Sequence, residues 1–255
     1  MVRGLGRFRE HFAGHEESYA LIGGAACDIL FGEVGLPFRA TKDFDIVLCV
    51  EAVSAEFATV FASFLDAGGY RARERSSGRR EFYRFHRPSD DTYPAMIELF
   101  ARRPETQPLP DSARLSPIPV EEDVISLSAI LLDDDYFEAL RNMRVAIDGI
   151  SLIDARILIP FKARAFLDLS RFRAGGEDID SRHIRKHRGD VFRLIQLLPG
   201  EGEINVADPI RADLAEFLER VSDDPEFDYK VLKLPITLAD ATALLSRYYR
   251  LDKTD

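Results

Sequence analysis

The spacing of apolar residues changes character once along this chain, near residue 154, and that change restricts the possible folds more than any single motif. Before it, short runs suited to strands alternate with helical patterns. After it, only the helical period recurs. Residues 19–22 form a short apolar run ending at Gly23-Gly24, and AACDILFGE follows with apolar residues at 26, 29 and 30. DFDIVLCV at 43–50 alternates and is rich in β-formers. VSAEFATVFASFLDAGG repeats apolar residues at 53, 57, 60, 61, 64 and 65 before a glycine stop at 68–69. Three further strands are expected in YRARERS (70–76), REFYRFHR (80–87) and PAMIELFARR (94–103). The order strand, helix, strand, helix, then strands predicts an α/β (α+β) fold, a mixed sheet with flanking helices.

Residues 104–123 hold five of the thirteen prolines and read as loop or sheet edge. SLSAILL (126–132) and RVAIDGISLID (144–154) read as strands, with Asp148-Gly149 as a hairpin signal. Helices are expected over 154–173, 180–198, 208–222 and 237–250, capped by Asp154, Asp180, Asp208 and Thr237, with Gly175 and Gly200 as stops. The simplest division is a mixed-sheet domain over 1–153 followed by a helical domain over 154–255. With 46% hydrophobic and 31% charged residues in 255, the chain is globular in composition rather than disordered or collagen-like. Its apolar runs, such as ILIPF at 157–161, are far shorter than the roughly 20 residues of a membrane span. MVRGLGRFREHFAGHEE has no apolar core of a signal peptide, so a soluble cytoplasmic protein is expected. Cys27 and Cys49 offer neither a disulfide framework nor a CxxC zinc pattern, and read as buried small hydrophobes.

Asp43 and Asp45 carry the strongest chemical signal. A strand sends residues i and i+2 to one face, so the two carboxylates converge while Phe44 and Ile46 face the other way. Like charges this close repel unless a cation lies between them, and Mg²⁺ takes hard oxygen ligands from one or two carboxylates plus phosphates. The plainer alternative is a pair of solvated acids at a strand edge. Gly23-Gly24 stands between a strand and a helix, where a backbone without Cβ admits a phosphate to the helix N-terminus, or simply makes a tight turn. Glu98 lies in an apolar strand, where an unpaired carboxylate is costly, so it needs a partner; a neighbouring strand bearing the aspartates would supply one. Lys162 follows Pro160-Phe161 in an apolar stretch, where a snorkelling surface lysine competes with a functional one.

Taken together, GGAACDILFG, RATKDFDIVL, MIELF and ILIPFKARAFLDL resemble the nucleotidyltransferase superfamily of polymerase-β type. They are most similar to the AbiEii-type nucleotidyltransferases of toxin and antitoxin systems, over roughly residues 20–100 and 150–195. The resemblance implies a nucleotidyltransferase sheet domain in which Asp43, Asp45 and Glu98 hold Mg²⁺ or Mn²⁺ and Glu98 alternatively acts as base. It further implies that Gly23 and Gly24 take the β,γ-phosphates of an NTP, that Lys162 closes over the triphosphate, and that Arg39 and Thr41 touch phosphate or brace their loop. Where relatives carry Lys/Arg-Asp-x-x-Asp-Leu, this chain reads KHRGDVF: Asp190 matches the second aspartate and His187 stands at the first.

The net charge of −10 argues against a uniformly basic nucleic-acid binder, yet it is unevenly spread. Residues 71–88 hold seven arginines against two glutamates, and residues 156–193 hold ten Lys/Arg against five acids. Residues 201–233 hold ten acids against four basic residues. The two basic blocks suit a polyanionic acceptor such as tRNA, or an ordinary solvated surface. His11 and His15, like His183 and His187, are spaced i, i+4 but lack the glutamate of HExxH and a third ligand, and read as solvated faces. The expected function is transfer of a nucleoside monophosphate from an NTP to a hydroxyl on RNA, as a toxin with a partner antitoxin. The alternatives are the same chemistry on a small hydroxylated molecule such as an aminoglycoside, or a non-catalytic module of the same fold that binds a nucleotide or a protein.

Overall fold

A computed structural model describes residues 3–38, 46–52, 55–75, 81–103, 116–117, 133–225 and 227–251. The chain forms two compact units, one of residues 1–120 with 144–154, the other of residues 121–143 with 155–255. The architecture is mixed α and β, as the alternating periods predict.

The first unit is built on an eight-stranded mixed sheet. Its strands are β1 (Ala20–Ile22), β2 (Ile46–Ala52), β3 (Ala72–Arg75), β4 (Glu81–His86), β5 (Met96–Arg103), β6 (Ser116–Pro117), β7 (Arg144–Ile147) and β8 (Ile150–Ile153). Their order across the sheet is β6-β3-β4-β5-β2-β1-β8-β7. The pairs β2/β5, β1/β8 and β3/β6 are parallel, and β1/β2, β4/β5, β3/β4 and β7/β8 are antiparallel. The expected hairpin at Asp148-Gly149 is present. Both residues have positive φ (49° and 74°), the conformation of a type I′ turn that matches strand twist. Helices α1 (Leu5–His11), α2 (Gly23–Glu33) and α3 (Ala55–Gly68) complete the unit. Phe8 and Phe12 on and after α1 meet Tyr19 and the Phe57, Phe61 and Phe64 face of α3 at ring-centroid distances of 5.3–6.2 Å, and Phe61 meets Phe85 of β4 at 5.5 Å. Cys27 is fully buried on α2, as a small hydrophobe.

Helix α1 is too short to stand out by period. It is held by this aromatic cluster rather than by propensity. At its start Gly4 is left-handed (φ 76°), and an added Cβ would lie 2.2 Å from the Pro94 nitrogen, so only glycine fits. His15 falls after α1 ends, so it does not share a helix face with His11. The His11 ring nitrogen Nε2 instead lies 2.9 Å from the Ser63 hydroxyl and 3.0 Å from the Val60 carbonyl.

The second unit contains α4 (Asp134–Asn142), α5 (Ala155–Ala174), α6 (Ser181–Leu194), α7 (Asp208–Ser222) and α8 (Leu238–Tyr248). The four long helices lie where the period predicts. Asp180 and Thr237 cap α6 and α8 by accepting from the Arg182 and Asp240 amides. Asp208 does not cap: Ala207 is the capping residue, and Asp208 sits inside the first turn of α7, where its charge favours the helix dipole. Gly175 follows the last residue of α5, and the left-handed residue of that stop is Gly176 (φ 94°). Helix α5 is buried along most of its length, which suits the centre of a helical unit. Pro160 interrupts its interior and removes the amide that would have bonded the Arg156 carbonyl. The Tyr249 hydroxyl donates to that carbonyl at 2.8 Å in its place.

Residues 121–143 are left in the first domain by the change of period at 154, yet they group with the helical unit. The reason is visible at α4, a helix that the alternation of the first half conceals. Asp133 caps it, and Tyr136, Phe137 and Leu140 form its buried stripe. The Tyr136 hydroxyl donates to Asp213 of α7 at 2.9 Å, and Arg164 of α5 bonds the same carboxylate at 2.7 Å and Asp168 at 3.0 Å. Burial raises the Tyr136 and Asp168 pKa values, and Arg164 is stabilised as a cation by its hydrogen bond to Asp213 against that burial. The expected strand at 126–132 lies outside the described residues. No helix among the described residues is long and apolar enough to cross a membrane.

Candidate functional site

In the first unit the expected site residues that are described gather at one end of the sheet. β1 runs directly into α2 with no intervening loop. Ile22 is extended, Gly23 takes φ 78°, and the helix begins there without a side-chain cap or an acid in its first turn. Among the described residues no side chain caps its first amides, the arrangement that favours an anion at a helix N-terminus. Around Gly24, an added Cβ would meet open space within 4 Å.

A single row of register partners crosses the sheet at this end. Ile22 of β1 pairs with Val47 of β2, Val47 pairs with Glu98 of β5, and Glu98 pairs with Arg84 of β4. Directly opposed residues share a face of the sheet. The row thus places the start of α2, the start of β2 and the Glu98 carboxylate within a few strand spacings of one another.

Glu98 is 8% exposed and Arg84 is 5% exposed. The Arg84 Nε and Nη2 groups both donate to Glu98 Oε1, at 3.0 and 2.7 Å. The buried carboxylate in an apolar strand does have a partner, as its cost requires, and that partner is an arginine on the adjacent antiparallel strand. In the sequence Arg84 is only one of seven arginines in a basic run. Thirteen residues separate it from Glu98, and only the register of β4 on β5 brings the two together. The signal that existed was alternation: Arg84 lies in REFYRFHR, on the parity that a strand gives to one face.

Asp43, Asp45, Arg39 and Thr41 lie outside the described residues. Among the described residues, no group of three or more His, Cys, Asp or Glu side chains is placed to hold a metal ion.

Lys162 belongs to the second unit. It is 6% exposed, so it does not snorkel into solvent, and its Nζ lies 3.8 Å from Oδ2 of the fully buried Asp190 on α6. Arg193 approaches the other carboxylate oxygen at 3.5 Å. Lys162 and Asp190, two positions on which the resemblance rests, are thus in contact. His187, at the position of the first motif aspartate, is also buried. Comparison with protein-family models and with curated proteins finds no match for this chain.

Proposed function

We propose that this chain is a metal-dependent nucleotidyltransferase that transfers a nucleoside monophosphate from an NTP to a hydroxyl group, with RNA as acceptor and a cytoplasmic toxin role controlled by an antitoxin. The observation that carries the reading is the register row from Ile22 through Val47 to Glu98. Gly23 is the next residue after Ile22, Asp45 is the residue before β2 begins, and positions 43 and 45 share the parity of Val47. The start of α2 and the Glu98 carboxylate are thereby drawn to the end of the sheet where β2 begins, and the Asp43-x-Asp45 pair immediately precedes β2 in the sequence, which supports the reading.

The donor set suits a hard divalent cation: Asp43, Asp45 and Glu98 offer carboxylate oxygens, with Glu98 oriented by Arg84. Mg²⁺ or Mn²⁺ held there would offset the charge on the triphosphate oxygens. The amides at the start of α2 bind the β,γ-phosphates. Transfer forms a bond from the acceptor oxygen to the α-phosphorus as the bond to pyrophosphate breaks, and the hydroxyl proton passes to a carboxylate or to solvent. The phosphate-binding role that the resemblance gives Lys162 is a separate element of the proposal.

A second reading is favoured by one observation. Glu98 is buried and already engaged by the Arg84 Nε and Nη2 donors, which suits a third acid retained for structure in a module that binds nucleotide without turnover. Incubation with each α-labelled NTP, Mg²⁺ and a whole-cell extract, followed by separate RNase and protease digestion, separates these readings. Label that is RNase-sensitive and lost in Asp45→Asn supports RNA transfer. Label on small molecules redirects the acceptor. Nucleotide-dependent thermal stabilisation with no labelled product supports the non-catalytic module.

A further inference from the structure

The second unit contains a cavity of about 540 Å³ between the last turns of α5 and the first turns of α6. Its size is that of a small-molecule site. Arg173 projects from α5, and Arg185 and Arg188 project from α6. One acid, Asp224, lines the same cavity, so its wall carries a surplus of two positive charges. Arg173 and Arg185 are exposed, with no ion-pair partner among the described residues.

Arg188 is different. It is 8% exposed, its guanidinium lies 4.0 Å from the centre of the Phe227 ring, and its Nη1 is bonded to Asp224. These contacts fix the plane of the group, yet its buried Nε–H has no acceptor among the described residues. A planar cation in the cavity wall, fixed by stacking and by one carboxylate, is preorganised for an oxyanion at its exposed edge. The Ser170 and Ser181 hydroxyls line the same space. Ser170 spends its proton on the Phe166 carbonyl at 2.6 Å, and Asp180, which caps α6 beside Ser181, is itself paired with Arg182 at 2.6 Å.

We propose that this cavity binds the phosphate group of a small phosphorylated ligand of nucleotide size, held by Arg173, Arg185 and Arg188. Three arginines lining one pocket of this size favour a small ligand over a polynucleotide, whose backbone would require a track of separated charges. The site is independent of the proposed transfer chemistry, because it needs no divalent cation.

Calorimetric titration of the full chain in EDTA with AMP and with inorganic pyrophosphate tests it. Saturable binding is expected for at least one of them, weakened by about tenfold or more in Arg173→Ala/Arg185→Ala. Both substituted side chains are exposed, so the melting temperature without ligand stays unchanged. Asp45→Asn, which tests the transfer chemistry, leaves this binding intact. Binding of equal strength in the wild-type and double-variant proteins overturns the proposal, as does failure of both ligands to saturate by about 10 mM. An RNA oligomer whose binding falls in the double variant, while AMP and pyrophosphate do not bind, replaces the small ligand with a polynucleotide and equally overturns it.

Discussion

Glu98 in the first unit and Asp190 in the second are both buried against cations, but by different means. On facing strands, register sets the separation of opposed Cβ atoms at about 5 Å, close enough for Arg84 to place two donors on one oxygen at 2.7 and 3.0 Å. Between helices, side-chain length must span the gap, and Lys162 reaches Asp190 only to 3.8 Å while Arg193 shares the carboxylate at 3.5 Å. The first pair is a short contact made by two donors of one arginine, whereas the second is longer and divided between two cations. A divided contact retains one partner when the other is removed. Removing Glu98 takes both short bonds from the buried Arg84 at once.

The largest expected effect is therefore at the strand pair. Glu98→Ala leaves the Arg84 guanidinium buried without its carboxylate and should cost about 3–5 kcal/mol in urea unfolding, enough to unfold a marginal domain. Replacing both partners with apolar residues, Arg84→Met/Glu98→Leu, should recover most of that loss. If the double variant is as unstable as Glu98→Ala, the cost belongs to packing and the contrast with the helical pair loses its basis.

Lys162→Met should be milder, about 1–3 kcal/mol, because Arg193 still faces the Asp190 carboxylate. A loss exceeding that of Glu98→Ala would break the comparison from the other side. The same variant sharpens the functional proposal. A labelled-NTP assay that loses transfer at a temperature where the variant remains folded assigns Lys162 a role in phosphate chemistry, and transfer that tracks only the folded fraction assigns it to the helical core.

What could be read in advance follows the range over which each feature is encoded. Asp148-Gly149 and the caps Asp180 and Thr237 are local, and each is found where the residues place it. The burial of Lys162 was foreshadowed by the apolar stretch around it. Arg84 as the partner of Glu98 was not legible, because the pairing depends on a register that the thirteen intervening residues do not record. Helix α4 has a legible cap and stripe, but it lies among strand-like runs, and what binds it to the helical unit is the Asp213 carboxylate 77 residues beyond Tyr136. The Asp43-x-Asp45 motif was the clearest chemical signal in the sequence and lies outside the described residues, so its test is biochemical.

A smaller effect is expected where the helical pair depends on the shape of α5. Pro160 lies two residues before Lys162, and the Arg156 carbonyl that it leaves open is bonded by Tyr249. Tyr249→Phe removes only that hydroxyl, so it should cost about 1 kcal/mol, seen as a lower denaturant midpoint at unchanged slope. Pairing it with Lys162→Met in a double-mutant cycle measures how far the geometry of α5 supports the lysine. Additive losses would show that the ion pair does not depend on that hydrogen bond.

The smallest effect concerns the start of α6, the helix that carries both Asp190 and Arg193. The side-chain hydrogen bond from Arg182, aided by the Arg182 backbone amide, lowers the Asp180 carboxyl from the usual 3.8 to about 2. A carboxyl lowered in the folded state stabilises it above the unfolded value and ceases to do so as pH falls through the folded one. The contribution should therefore be complete above pH 3.8 and disappear on acidification through about 2. Following the Arg182 amide resonance with pH should show a step in that window. Asp180→Asn keeps an acceptor for the amide but cannot titrate, so its spectrum should lack the step. A step of equal size in the variant would move the titration to another group, and would leave the α6 pair insensitive to the cap that begins its helix.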